Sequence, residues 1–156
     1  MASEDTWEGK SSAKVPGVSP DKVWAVIDDY ANIYKYLPSI DATTIVSGEP
    51  GKLGCVRLCS GNPLPGSQER AFTNEKLVAY DPAERTLSFE VVENNIGFKD
   101  YVATLKVLPE EDGSTIEWSF VTPAMPPPYW TLEKVNGYIS FCVNYLAEKI
   151  VEENKA

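Results

Sequence analysis

Histidine is absent from the 156 residues, and that single gap closes several chemical routes. Without an imidazole there is no Ser-His-Asp or Cys-His nucleophile and no HExxH zinc site, and the commonest transition-metal ligand is missing. Proton transfer near neutral pH then falls to a carboxylate, tyrosine, lysine or cysteine with a shifted pKa. Gly-rich phosphate loops are missing too, since nothing matches GxGxxG or GxxxxGK, which argues against nucleotide chemistry. Basic side chains are scarce: 14 Lys and Arg stand against 23 Asp and Glu, a net charge of −9. Phosphate backbones and anionic lipids demand clustered positive charge, so nucleic acid and charged membrane surfaces are poor partners. No stretch approaches the roughly 20 apolar residues of a membrane span. The start, Met1-Ala2-Ser3-Glu4-Asp5, lacks the basic region and apolar run of a secretory signal, and a cytoplasmic protein is expected. Cysteine is sparse as well. Cys55, Cys59 and Cys142 are odd in number, form no CxxC pair, and are expected as buried thiols rather than a disulfide framework.

What is present suits one domain spanning 1–156, with no repeat, low-complexity tract or linker to divide it. From Glu4 to Lys14, Trp7, Gly9, Ser11 and Ala13 alternate with polar residues, the pattern of a strand with one solvated face. Ser19-Pro20-Asp21 is a helix start with Ser19 as N-cap, and Val23, Val26, Ile27 and Tyr30 follow at helical spacing. A second short helix is predicted over Ile33 to Leu37, ended by Pro38. Six strands come next, the second of them at Leu53 to Cys59, then a stiff loop Ser60-Gly61-Asn62-Pro63-Leu64-Pro65-Gly66. Ala71 to Tyr80, Arg85 to Val92, Asp100 to Leu108 and Ser114 to Val121 complete a meander. After the proline-rich Thr122 to Pro128 a long helix starts near Tyr129 or Thr131 and runs to Glu153. Leu132, Val135, Ile139, Cys142, Leu146 and Ile150 form its apolar stripe. Such an order predicts an α+β fold, a curved antiparallel sheet of about seven strands wrapped on a long C-terminal helix.

Two charged residues fall where alternation predicts inward positions. Arg57 shares a face with Leu53, Cys55 and Cys59, and Glu75 shares one with Leu77 and Ala79. Buried singly, each would be expensive, so the two are expected to pair across neighbouring strands. The plainer interpretation is a fixed core ion pair, or two surface charges on misjudged strands. The chemical one gives Arg57 an oxyanion to stabilise and Glu75 a proton to move. Tyr101 is a further polar inward position, on a face made of Ala103, Leu105 and Val107. Trp118, Phe120, Phe89 and Val135 are expected as wall and core.

The element order resembles the START-like, birch-pollen-allergen-like helix-grip fold, in which sheet and helix leave an internal cavity between them. Within it the chain resembles plant lachrymatory-factor synthase and its homologues over nearly its whole length. The resemblance rests on Trp7-Glu8-Gly9-Lys10, Val23-Trp24, Leu37-Pro38-Ser39, Gly54-Cys55-Val56-Arg57 and Glu75-Lys76-Leu77-Val78-Ala79-Tyr80-Asp81. It continues through Gly97-Phe98-Lys99-Asp100-Tyr101-Val102-Ala103-Thr104 and Trp118-Ser119-Phe120. It implies a catalytic pair at Arg57 and Glu75, with Tyr101, Phe89 and Trp118 against the substrate and neither cofactor nor metal. The implied reaction isomerises 1-propenesulfenic acid to propanethial S-oxide. Arg57 would hold the sulfenate oxygen while Glu75 relays its proton to the far alkene carbon. Phe89 stands where the onion-type synthases carry a tyrosine, which leaves the substrate open to another small reactive molecule.

Two other classes compete. A non-catalytic carrier or receptor would take a small apolar or sulfur-containing molecule without changing it. The 60–66 loop resembles the mobile gate of abscisic-acid receptors. However, the buried lysine and the His-Arg-Leu latch of those receptors are replaced here by Ser39 and Ile96-Gly97-Phe98. A scaffolding protein would expose an apolar patch, for which Pro123 to Trp130 is the candidate, and a pocket lid explains that segment equally well.

Overall fold

The computed structural model describes residues 6–63, 68–125 and 130–155. Its elements run β1 (Thr6–Pro16), α1 (Pro20–Asp28), a 3-10 segment (Tyr30–Tyr36), β2 (Ile40–Ser47), β3 (Val56–Pro63) and β4 (Arg70–Asp81). They continue through β5 (Thr86–Asn94), β6 (Tyr101–Glu110), β7 (Gly113–Pro123) and α2 (Leu132–Glu153). All seven strands form one antiparallel sheet in the order β1-β7-β6-β5-β4-β3-β2. The chain therefore returns its first strand beside its last, and β2 lies at the far edge. No helix among the described residues is long and apolar enough to cross a membrane.

Local chemistry sets the helix starts. Lys22 N–H donates to Ser19 Oγ at 3.3 Å, with Pro20 at the first helical position where a missing N–H costs nothing. Lys134 N–H likewise donates to Thr131 Oγ1 at 3.1 Å, so α2 begins one residue after Thr131. Its 22 residues reach about 33 Å. Val135, Ile139, Cys142, Leu146 and Ile150 are fully buried as the stripe predicts, and α2 packs chiefly on β1 and β7. Val143 and Ala147 widen the stripe, whereas Leu132 stays 39% exposed.

Several expectations need correction. The predicted helix at Ile33 to Leu37 is a 3-10 segment that begins at Tyr30 and is kinked at Asn32, and Tyr30 belongs to it rather than to α1. Leu53 does not share the inner face. It is 66% exposed, because Gly54, at φ +91°, turns the chain before β3 begins. Ala79 is exposed as well. A β-bulge in β4 places Leu77 opposite Phe89 but Ala79 opposite Ser88, which reverses the alternation and sends Tyr80 inward instead. Ser60 to Pro63 is not loop but the end of β3, paired with β4. The remainder of the expected loop, Leu64 to Gly66, and the proposed lid residue Tyr129 lie outside the described residues.

Candidate active site

On β3 alternate side chains turn inward, which buries Arg57 and Cys59, while β4 buries Glu75 and Leu77. The register sets Arg57 directly opposite Glu75. Their exposures are 5% and 7%, so two unlike charges meet away from water. Arg57 Nε donates to Glu75 Oε1 at 2.9 Å and Nη2 reaches the same oxygen at 2.8 Å. Thr73, two residues along β4, donates its hydroxyl to Glu75 Oε2 at 2.9 Å. Both carboxylate oxygens are thus held in place.

Tyr30 completes the setting of the guanidinium. Its carbonyl accepts from Arg57 Nη1 at 3.1 Å, and its hydroxyl donates to the backbone oxygen of Glu75 at 2.9 Å. The Tyr30 ring lies 3.8 Å from Arg57 Cζ, with the Phe89 ring centroid 5.0 Å away. Phe89 therefore presents the face of its ring to the cation. Burial by itself lowers the Arg57 pKa, but the Glu75 charge and then the nearby Tyr30 raise it, and the net direction is upward. Among the described residues, three of its five N–H groups have an acceptor.

Beside this pair lies a cavity of about 380 Å³ between sheet and helix. Arg57, Glu75, Tyr101, Phe89 and Trp118 all line it, so the five residues singled out from sequence converge on one space. Phe120 and Val135, at 1% and 0% exposure, are core behind the wall. Cross-strand register orders the lining into rows. Arg57, Glu75, Val91 and Tyr101 follow one another across β3 to β6, and Phe89 lies in the next row. Leu87, Leu105 and Trp118 lie in the one after that. Tyr101 is clamped between Phe98 and Phe120, at ring-centroid distances of 4.3 and 5.7 Å, and its hydroxyl has no hydrogen-bond partner among the described residues. Burial, then the Glu75 charge, holds that hydroxyl well above the usual phenol range, so it stays a neutral donor.

Other groups at the cavity were given no place in the site by the sequence. The Cys59 thiol is pushed up to about 12, first by burial and then by the Glu75 charge, which keeps it protonated and unreactive. Ser39 Oγ lies 3.2 Å from Tyr138 Oη, a neutral contact where a receptor would need its lysine. At the rim, Asn94 Oδ1 accepts from the N–H groups of Ile96 and Phe98, and Asn95 bridges to β4 through Phe72 N–H and the Arg70 carbonyl. Trp130 Nε1 donates to the Ile96 carbonyl at 2.7 Å and closes that side. Adjacent asparagines after a strand are a turn signal, and they were the available clue to this rim. Tyr30 and Thr73 gave none, because their roles depend on the packing of separate elements. Among the described residues no group of acidic, cysteine or histidine side chains is placed to hold a metal.

A curved sheet gripping one long helix, with an ion pair facing the hollow between them, defines a START-like helix-grip domain of the birch-pollen-allergen type. The chain belongs to the polyketide cyclase / dehydrase and lipid transport family, whose pattern matches residues 6–143. Among solved structures it is similar to ginseng major latex-like protein 151 from Panax ginseng. The TM-score is 0.77 at 16% identity, with 97% of this chain and 99% of that one covered. An uncharacterised protein from Bacillus thuringiensis matches with TM-score 0.74 and 20% identity over 92% of this chain and 98% of the other. The protein XoxI from Bacillus cereus matches with TM-score 0.72 and 18% identity over 96% and 99%. At such identities the likeness is one of fold.

Proposed function

We propose that this chain is a cofactor-independent isomerase of lachrymatory-factor-synthase type, moving one proton within a small, mostly apolar molecule. The Arg57–Glu75 contact, buried against an apolar cavity, carries the assignment. A sulfenic acid would dock its oxygen on the Arg57 guanidinium, with the Tyr101 hydroxyl as a further donor. Glu75 takes the sulfenic O–H proton as that bond breaks, and returns it to the alkene carbon β to sulfur. The C=C pair forms the new C–H bond, a sulfur lone pair forms C=S and the O–H pair stays on oxygen, so 1-propenesulfenic acid leaves as propanethial S-oxide with no atom or electron gained or lost. Away from water, the fixed guanidinium stabilises charge gathering on oxygen more strongly than solvent could.

A second reading is favoured by the size of the cavity. At about 380 Å³ it falls in the range that encloses drug-sized molecules, and a carrier of a larger apolar ligand would use it without chemistry. Turnover decides between them. Freshly generated 1-propenesulfenic acid should give the S-oxide with the wild type, and Arg57→Leu and Glu75→Gln should each lose roughly 100-fold or more. Circular dichroism and binding of an apolar dye establish that the variants are folded. Product at the uncatalysed rate with wild type leaves the carrier, and full activity in Glu75→Gln overturns Glu75 as the group that moves the proton.

A further inference from the structure

Glu75 has two carboxylate oxygens, and the fold treats them differently. Oε1 takes both Arg57 contacts, Nε at 2.9 Å and Nη2 at 2.8 Å, so it is committed to a cation. Oε2 takes a neutral donor, the Thr73 hydroxyl at 2.9 Å. A proton arriving at Oε1 has to displace a guanidinium N–H from a buried ion pair, whereas at Oε2 it meets a hydroxyl that can rotate. Thr73 and Glu75 are two residues apart on β4, so they share its inner face, and both line the cavity. Six titratable groups face Glu75 from the elements packed against it. They are Arg57 and Cys59 on β3, Tyr30 in the 3-10 segment, Tyr101 on β6, and Tyr138 and Cys142 on α2. Burial raises both thiols and all three phenols, and Arg57 stays charged, so none of the six changes charge below about pH 9.

We propose, resting on the isomerase reading above, that Thr73 is a positioning residue for the proton transfer: its hydroxyl holds Glu75 so that Oε2 takes the proton and gives it back. The proton leaves the sulfenic O–H, whose electron pair stays on oxygen, resides on Oε2, and passes to the alkene carbon. Arg57 keeps its hold on Oε1 throughout. A hydroxyl donates more strongly to a carboxylate than to a carboxylic acid, so Thr73 favours the ionised form that must receive the proton. Without that donor the carboxylate keeps its proton to a higher pH. Any hydroxyl at this place on the strand suffices, so serine should replace threonine and the near-isosteric valine should not.

The test compares wild type, Thr73→Val and Thr73→Ser by kcat/KM for freshly generated 1-propenesulfenic acid, from about pH 4 to 8. In Thr73→Val the acidic limb should move up by about one pH unit, while the rate well above it falls far less than in Glu75→Gln. Thr73→Ser should keep the wild-type profile. Ionisation of the substrate is common to all three and drops out of the comparison. A residue that only supports the fold would lower the rate equally at every pH. A second readout needs no turnover. In protein labelled with 13C at the glutamate carboxyl, the Glu75 resonance is identified by its loss in Glu75→Gln. It should titrate about one pH unit higher in Thr73→Val than in wild type or Thr73→Ser. Thr73→Ala repeats the comparison if valine fails to fold. An unmoved limb or an unmoved Glu75 midpoint in the folded variant overturns the role of Thr73. Absence of turnover in the wild type removes the isomerase instead, and the resonance alone then decides whether Thr73 governs the Glu75 proton.

Discussion

Arg57 and Glu75 sit where a charge deprived of its partner is costly, since neither reaches bulk water. Replacing Glu75 by Leu leaves the guanidinium with the Tyr30 carbonyl as its remaining acceptor, and urea denaturation should register a loss of about 3–5 kcal/mol. Glu75→Gln retains an acceptor and should lose less. Replacing both charges, as Arg57→Met with Glu75→Leu, should recover most of the loss, because no orphan remains. A Glu75→Leu protein as stable as the wild type would mean the pair is hydrated in solution. At this scale the sequence was informative: period-two alternation turned both residues inward and set them on adjacent strands. It was silent on Thr73 and Tyr30, whose contacts join the pair to its neighbours through the register and a 3-10 segment.

Strands and helices are positioned by close approaches that composition does not reveal. A Cβ on Gly61 would lie 1.9 Å from the Ser39 carbonyl oxygen, backbone that cannot rotate away, where the end of β3 packs under the chain entering β2. Gly61→Ala should therefore destabilise by about 1–3 kcal/mol and disturb the cavity mouth. Gly137 is the opposite case. It is exposed within α2 with nothing within 4 Å of an added Cβ, so Gly137→Ala should stabilise by about 0.5–1 kcal/mol. Thermal melts of the two variants should shift in opposite directions, and a shared sign would contradict the packing. The β4 bulge belongs to this scale as well. It appears in the sequence as an ordinary run, Glu75 to Tyr80, and is decided by how β4 must bend to keep Leu77 and Tyr80 both facing the core.

Across the whole molecule, burial raises a set of weak acids together. Cys59 is pushed up to about 12 and Cys142 to about 11, each chiefly by burial, and Tyr30, Tyr101 and Tyr138 are raised above the phenol range for the same leading reason. A raised folded-state pKa favours the neutral form, so this stabilisation is complete below the ordinary thiol value near 9. It then shrinks as pH climbs, because the unfolded chain releases protons that the fold retains, and is gone for the thiols by about 12. Stability should hold near neutrality and fall above pH 9 by up to about 1.4 kcal/mol per pH unit for each such group. Replacing Cys59 and Cys142 by Ala should flatten the first part of that decline. Melting temperatures measured from pH 7 to 11 check it, and a level profile would contradict it. The net charge of −9 adds self-repulsion in the same direction.

Element order, the helix stripe and the inward placing of Arg57 and Glu75 followed from the amino-acid sequence alone, because hydrophobic period and capping chemistry are local and repeat along the chain. Residue spacing could not supply the volume of the hollow, the aromatic faces around the guanidinium, the bulge that turns Ala79 outward, or the unpaired Trp118 indole. Those depend on how far a bent sheet stands off the helix it grips. That distance is set by many side chains from separate elements at once, and no single segment encodes it.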